Sequence, residues 1–107
     1  MHSNKNTIQK ICLDEMSYIE NISRKLVFFN KAYEPVYEFY GVKISEIEPQ
    51  FPDYFLRCHH SICINLNMAE SIKRYQFTLK GGKNIPISQS KFKDARQTYI
   101  NFLGGKL

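Results

Sequence analysis

Apolar residues recur at short, strand-like intervals through most of this chain, and only near the C-terminus does the interval lengthen to that of a helix. Ile8, Ile11 and Leu13 suggest a first strand and Tyr18 with Ile19 a second, before a turn at Asn21, Ile22, Ser23 and Arg24. Leu26 to Phe29 and Pro35 to Tyr40 follow as β-prone stretches, the latter ended by Gly41. Val42, Ile44 and Ile47 permit a short helix over 43–48, which Pro49 and Pro52 close because proline lacks the amide a helix needs. Phe55 to Cys58 enters a polar corner at His59, His60 and Ser61, and Ile62 and Ile64 leave it. Glu70 to Arg74 and Phe77 to Lys80 form further strands. Gly81-Gly82 predicts a hairpin into Asn84 to Ser88, where Pro86 argues for a sheet edge.

In the last segment Phe92, Ala95, Tyr99, Phe102 and Leu103 recur at steps of three and four. That spacing predicts a helix over 90–103 with one apolar stripe, Ser90 as its N-cap and Gly104-Gly105 as its close. The pattern as a whole predicts a mainly β domain of roughly eight short strands with one full helix laid against a sheet. At 107 residues the chain is one domain's worth, with 8–107 folded and the polar stretch 1–7 a disordered segment or linker remnant. No apolar run approaches the roughly 18 residues that a membrane span requires.

Charge sharpens this picture through its distribution. Residues 1–54 carry six Lys and Arg against eight Asp and Glu, whereas residues 55–107 carry nine against two. Such asymmetry suits a polyanion-binding surface, although plain solubility explains it as well. Arg57, Lys73, Arg74, Lys80, Lys83, Lys91, Lys93 and Arg96 are available to phosphates. His60, Asn21, Ser23, Gln89 and Ser90 place donors and acceptors on polar corners, as base reading needs. With one proper helix there is no helix-turn-helix pair, so recognition would come from loops between strands.

Catalytic and metal chemistry find less support. Cys58, His59 and His60 are adjacent, but neighbours in a strand point to opposite faces, and nothing supplies a base with an orienting partner. Cys58 reads better as packing. Cys58, His59, His60 and Cys63 match no zinc spacing, and Gly81-Gly82-Lys83 lacks the strand-to-helix setting of a phosphate loop. Three cysteines without a secretory signal suit the reducing cytoplasm. The expectation is no enzyme, no metal and no cofactor.

Residues 55–65, FLRCHHSICIN, resemble the central motif of the LytTR family of DNA-binding domains: aromatic, x, Arg, Val or Cys, His, x, Ser, apolar, x, apolar, Asn. Other pieces stand in order. DEMSYIE at 14–20 resembles the family's D-I-x-Y-I-E, Glu70-Ser71-Ile72 follows at the expected distance, and Gly81 to Ser88 resembles the G-x-x-I-P-V-S hairpin ahead of a terminal helix. The resemblance spans about residues 8 to 103. It implies about ten short strands in small antiparallel sheets, with a short helix near 43–48 and a C-terminal helix near 90–103. It also implies a module of bacterial two-component response regulators, binding double-stranded DNA at paired direct repeats in promoters through loops set into successive major grooves. A weak or DNA-assisted dimer is compatible with that mode.

Carried onto this chain, the resemblance assigns base reading to Asn21, Ser23 and Lys25 in the first turn, to His60, and to Gln89, Ser90 and Lys91 at the entry to the last helix. Arg24, Arg57, Ser61 and Lys93 would meet phosphates. His59 and Asn65 would hold the loop. Relatives commonly carry Asn or Arg at the place of His60, and Arg at that of Gln89 or Ser90. The chain therefore lacks the strongest guanine reader, and its site sequence does not carry over from relatives. Such regulators normally place a phosphoacceptor receiver domain ahead of this module, and none is expected within these residues. The competing expectation is a protein-interaction module or antagonist that does not bind DNA, motivated by the missing arginines and the abundant Tyr and Phe.

Overall fold

The computed structural model describes residues 11–105. The segment 1–7 and Ile8 of the expected first strand lie outside them. Ile11 and Leu13 do not extend as a strand, because Leu13–Glu15 winds into a 3-10 turn closed by the Glu15 amide on the Cys12 carbonyl (3.0 Å). Three apolar residues spaced by two and three cannot separate an extended chain from a tight turn.

Eight strands follow among the described residues, all paired antiparallel. Five, β1 (Met16–Ile22), β2 (Lys25–Asn30), β3 (Pro35–Tyr40), β4 (Phe55–His59) and β5 (Ile62–Asn65), form one sheet in the order β3-β2-β1-β5-β4. The others, β6 (Ala69–Lys73), β7 (Gln76–Leu79) and β8 (Lys83–Pro86), form a small sheet with β7 central. Pro86 accordingly lies on an edge strand, where a missing amide costs no ladder bond. Between β3 and β4 runs the short helix α1 (Ile44–Ile47), continued by a 3-10 turn over Glu48–Gln50. Helix α2 spans Gln89–Gly104.

The predicted N-cap needs correction. Ser88, not Ser90, is the extended residue at the helix entrance (φ −61°, ψ 142°), and its carbonyl accepts the Lys91 amide at 3.0 Å. The Ser88 amide is meanwhile held by the Cys58 carbonyl at 2.9 Å, a contact between distant strands that a local pattern does not display. Ser90 therefore sits inside the first turn.

Both faces of the large sheet are covered. On one side Tyr18, Cys58, Ile62 and Ile64 join Phe77, Leu79 and Ile85 of the small sheet, Ile87 just beyond it, and Ala95 and Tyr99 of α2. On the other, Met16, Ile19, Leu26, Phe28, Phe55 and Cys63 pack around Ile44 of α1. Along β5 the two sets alternate residue by residue, as pleating requires. The aromatic excess goes into these cores: Phe77 meets Tyr99 edge-on with centroids 5.5 Å apart, Tyr75 meets Phe92 at 5.3 Å, and Tyr18 stacks on Phe29 at 4.3 Å.

Two buried polar residues lock the start of β1 in place. The Ser17 hydroxyl donates to the Asn30 carbonyl (2.7 Å). Asn65 donates through Nδ2 to the Met16 carbonyl (2.9 Å) and accepts the Asn67 amide on Oδ1 (2.9 Å). Asn65→Ala would leave a buried carbonyl and an amide without partners, an unmade-bond cost of about 2 kcal/mol. A urea titration should show the midpoint fall by the matching amount with an unchanged slope, and an unchanged midpoint would show that these bonds do not support the fold.

Candidate nucleic-acid interface

The chain reverses between β1 and β2 in two residues, Ser23 (φ 50°) and Arg24 (φ 67°), both left-handed and neither glycine. Consecutive positive φ values make the tight reversal that matches the strand twist, at the cost of strain that Asn-Gly would avoid. Both side chains are exposed at the tip. Their flanks are turned to internal partners. Asn21, next to the end of β1, donates through Nδ2 to the Val42 carbonyl (2.9 Å) and accepts the Ile44 amide on Oδ1 (3.0 Å), which ties α1 to the turn. Lys25 pairs with Glu38 at 3.1 Å and lies over the Tyr40 ring at 5.8 Å. Of the first-turn residues assigned to DNA, Ser23 and Arg24 thus stand free at the tip, while Asn21 and Lys25 are engaged.

His60 and Ser61 form the equally tight turn between β4 and β5, entered through a register shift between Arg57 and His59. This irregularity puts Cys58 fully inside the core while His60 points outward, so the two do not share a face as simple alternation would have it. Nδ1 of His59 accepts the Ser61 amide (3.3 Å), and the Ser61 hydroxyl lies 3.1 Å from the same nitrogen. A nitrogen that accepts an amide proton carries none itself, so the neutral ring holds its proton on Nε2. Burial first, then the neighbouring His60 ring and the Lys91 charge, push the His59 pKa below the ordinary imidazole value. Arg57 reaches across the turn, donating to Glu48 (3.0 Å) and to the His60 carbonyl (2.5 Å).

The third segment is the entrance of α2. Gln89, Ser90 and Lys93 are exposed and Lys91 is half-buried against the β4 corner. Two long-range backbone bonds align all three segments. The Asn21 amide donates to the Ser61 carbonyl (2.9 Å), joining the first turn to the second, and Ser88 to Cys58 joins the second to α2. Residues far apart in sequence thereby share one edge. Two of the other cations offered to phosphates have local partners: Arg74 bonds the Tyr75 hydroxyl (3.1 Å), and Lys83 lies over the Tyr18 ring at 5.6 Å.

A wide-mouthed cleft of about 420 Å³ opens beside the first two turns, lined by Asn21, Lys43, Ile44, Ser45, Arg57, His60 and Ser61. Lys43 and Ser45 were not foreseen. They lie in the acidic half of the chain, and the Asn21 bonds to Val42 and Ile44, with the Gly41 amide on the Arg24 carbonyl (3.0 Å), bring them to the turns.

Burial pushes the Cys58 and Cys63 thiols up to about 12, and the two enter opposite cores. Among the described residues no three of His, Cys, Asp and Glu stand close enough together to hold a metal ion. Nor is any helix among them long and apolar enough to cross a membrane.

The sequence model of the family described as the LytTr DNA-binding domain matches residues 6–99. Among solved structures, the chain is similar to the LytTr DNA-binding domain of a methyl-accepting/DNA response regulator from Bacillus cereus. The TM-score is 0.68 at 22% identity, with 84% of each chain covered, a likeness of fold. No curated protein matches.

Two outcomes follow from the turn geometry. The unfolded His59 ring titrates near about pH 6.5, whereas the folded one resists protonation. Its stabilising effect is therefore complete above that value and is lost as pH falls through the lower folded pKa. Unfolding midpoints at about pH 7.5 and about pH 5.5 should differ less in His59→Gln than in the wild type, and an equal difference would remove His59 from the acid response. Replacing Ser23 and Arg24 together by Asn and Gly should raise stability by about 0.5–1 kcal/mol by relieving the left-handed strain. Thermal unfolding of this variant checks it, and a lower midpoint would contradict the strain.

Proposed function

The chain belongs to the LytTR family of DNA-binding domains, and on that premise we propose that it binds double-stranded DNA sequence-specifically through the three segments of one edge. In this reading it is the output module of a bacterial two-component regulator, acting on promoters in the cytoplasm. The observation that carries the reading is the pair of backbone bonds, Asn21 to Ser61 and Ser88 to Cys58, which aligns the two tight turns with the start of α2.

Base reading falls to the groups that stand free: Ser23, His60, Gln89 and Ser90, with Lys91 beside them. Phosphate contact falls to Arg24 and Lys93, and to Ser61 on exchanging its hydroxyl's contact with His59 Nδ1 (3.1 Å) for a phosphate oxygen. Asn21 and Lys25 act by shaping the first turn, because their polar atoms are already bonded. Arg57 holds the His60 carbonyl and Glu48, so its contribution to phosphates is secondary to holding the second turn. His59 fixes the same turn from within, and Asn65 anchors the strand that leaves it. Two modules on adjacent direct repeats would be held by the DNA itself. A receiver domain elsewhere in the full regulator would control access. No side chain of the edge is arranged for catalysis.

Fluorescence anisotropy against a selected duplex and an unrelated duplex, across a salt series, tests the proposal. Lys93→Ala should weaken both complexes alike and lower the slope of log affinity against log salt by about 1. His60→Ala should instead change the preference among duplexes, with the slope nearly kept. Identical behaviour of the two variants would refute the division of roles. No binding by the wild type even at low salt would turn the assignment toward a protein-interaction module.

A further inference from the structure

We propose that the cleft between α1 and the second turn is a seat for one backbone phosphate of the bound duplex, with Lys43 and Ser45 as DNA contacts. The inference rests on the DNA-binding reading and adds a site to it. The cleft is lined on one side by Lys43, Ile44 and Ser45 and on the other by Arg57, His60 and Ser61, with Asn21 joining the two. Its floor is rigid, because Asn21 bonds both the Val42 carbonyl and the Ile44 amide while its own amide is held by Ser61.

The donors around the cleft are open in the way an anion requires. Lys43 and Ser45 are exposed, and among the described residues neither side chain has a hydrogen bond or ion pair within the protein. The nearby carboxylates are engaged: Glu46 accepts the Lys43 amide at 2.8 Å, and Glu48 accepts from Arg57 at 3.0 Å. Arg57 lines the cleft with its terminal nitrogens bonded to Glu48 and to the His60 carbonyl, so it shapes the wall and adds positive charge to it.

The occupant follows from position. The cleft opens beside Ser23-Arg24 and His60-Ser61, the two turns that meet the duplex in the proposed mode. A duplex docked on both turns lays a sugar–phosphate strand along their flank, and a lysine ammonium and a serine hydroxyl match its oxygens, with the Arg57 charge behind them. A contact of this kind adds affinity and register without reading sequence.

The test uses the wild type with Lys43→Ala and Ser45→Ala on a bound duplex, and on duplexes carrying a single neutral methylphosphonate at successive positions. Lys43→Ala should weaken specific and unrelated duplexes alike, by about tenfold at low salt, and lower the salt slope by about 1. One methylphosphonate position should weaken the wild type yet leave Lys43→Ala unaffected. Ser45→Ala should show a smaller loss that maps to the same position. Wild-type affinity and salt slope in Lys43→Ala would overturn the seat while leaving the DNA-binding reading intact. Failure of the wild type to bind any duplex would overturn both. Titration with inorganic phosphate separates the remaining source: saturable binding that Lys43→Ala abolishes, with duplex affinity unchanged, would assign the cleft to a free anion instead.

Discussion

Strand β5 has no face left for solvent. Ile62 and Ile64 enter the core shared with the small sheet and α2, Cys63 enters the core beneath α1, and Asn65 is bonded to the start of β1. Its backbone is paired on both sides, by β1 and by β4. A one-residue slip would exchange the two cores and strand Asn65 in apolar surroundings, so the register of this strand is heavily constrained. Each of its large apolar side chains contributes about 1.5–3 kcal/mol by burial, enough to outweigh the strain of the tight turns at its end.

That constraint is also what makes an interface. Because β5 is fixed, Ser61 at its head is fixed, and its carbonyl positions the Asn21 amide and with it the first turn. Because β4 is paired to β5, the Cys58 carbonyl is positioned to hold Ser88 and the entrance of α2. The three segments proposed to meet DNA therefore inherit the rigidity of a core strand while their tips remain exposed. The arrangement resolves the usual conflict between mobile loops and exact placement, since ordering these turns before binding lowers the entropy lost on the DNA.

Internal bonding also divides the polar residues of this edge by task. Asn21, Arg57 and His59 have residue types that could meet DNA, but Asn21 through both amide atoms, Arg57 through its terminal nitrogens and His59 through Nδ1 are bonded within the protein. They set the shape of the turns. Ser23, Arg24, His60, Gln89 and Ser90 have exposed side chains, and these remain for the partner. In the proposed mode, an exposed histidine where an arginine would give a bidentate guanine contact would make recognition depend more on register, and so more on phosphate contacts such as the one proposed at Lys43.

The motif FLRCHHSICIN, the β-period along Leu26 to Phe29, the Gly81-Gly82 turn and the stripe Phe92, Ala95, Tyr99 carried the fold class and the family within the sequence, since each is a local pattern with a local cause. The same holds for the exposed tips at Ser23-Arg24 and His60. What the sequence could not display was every feature set by contacts between distant residues. The helix begins at Gln89 because Cys58 holds Ser88, the segment at Leu13 turns because Cys12 and Glu15 close on each other, and Asn21 is withdrawn because Val42 and Ile44 claim it. Charge counted along the chain placed the polyanion surface after residue 54 and passed over Lys43, which the fold carries from the acidic half to the edge that holds the two tight turns. Periodicity reports which face a residue takes within its own element; only packing between elements decides which polar atoms stay free for DNA.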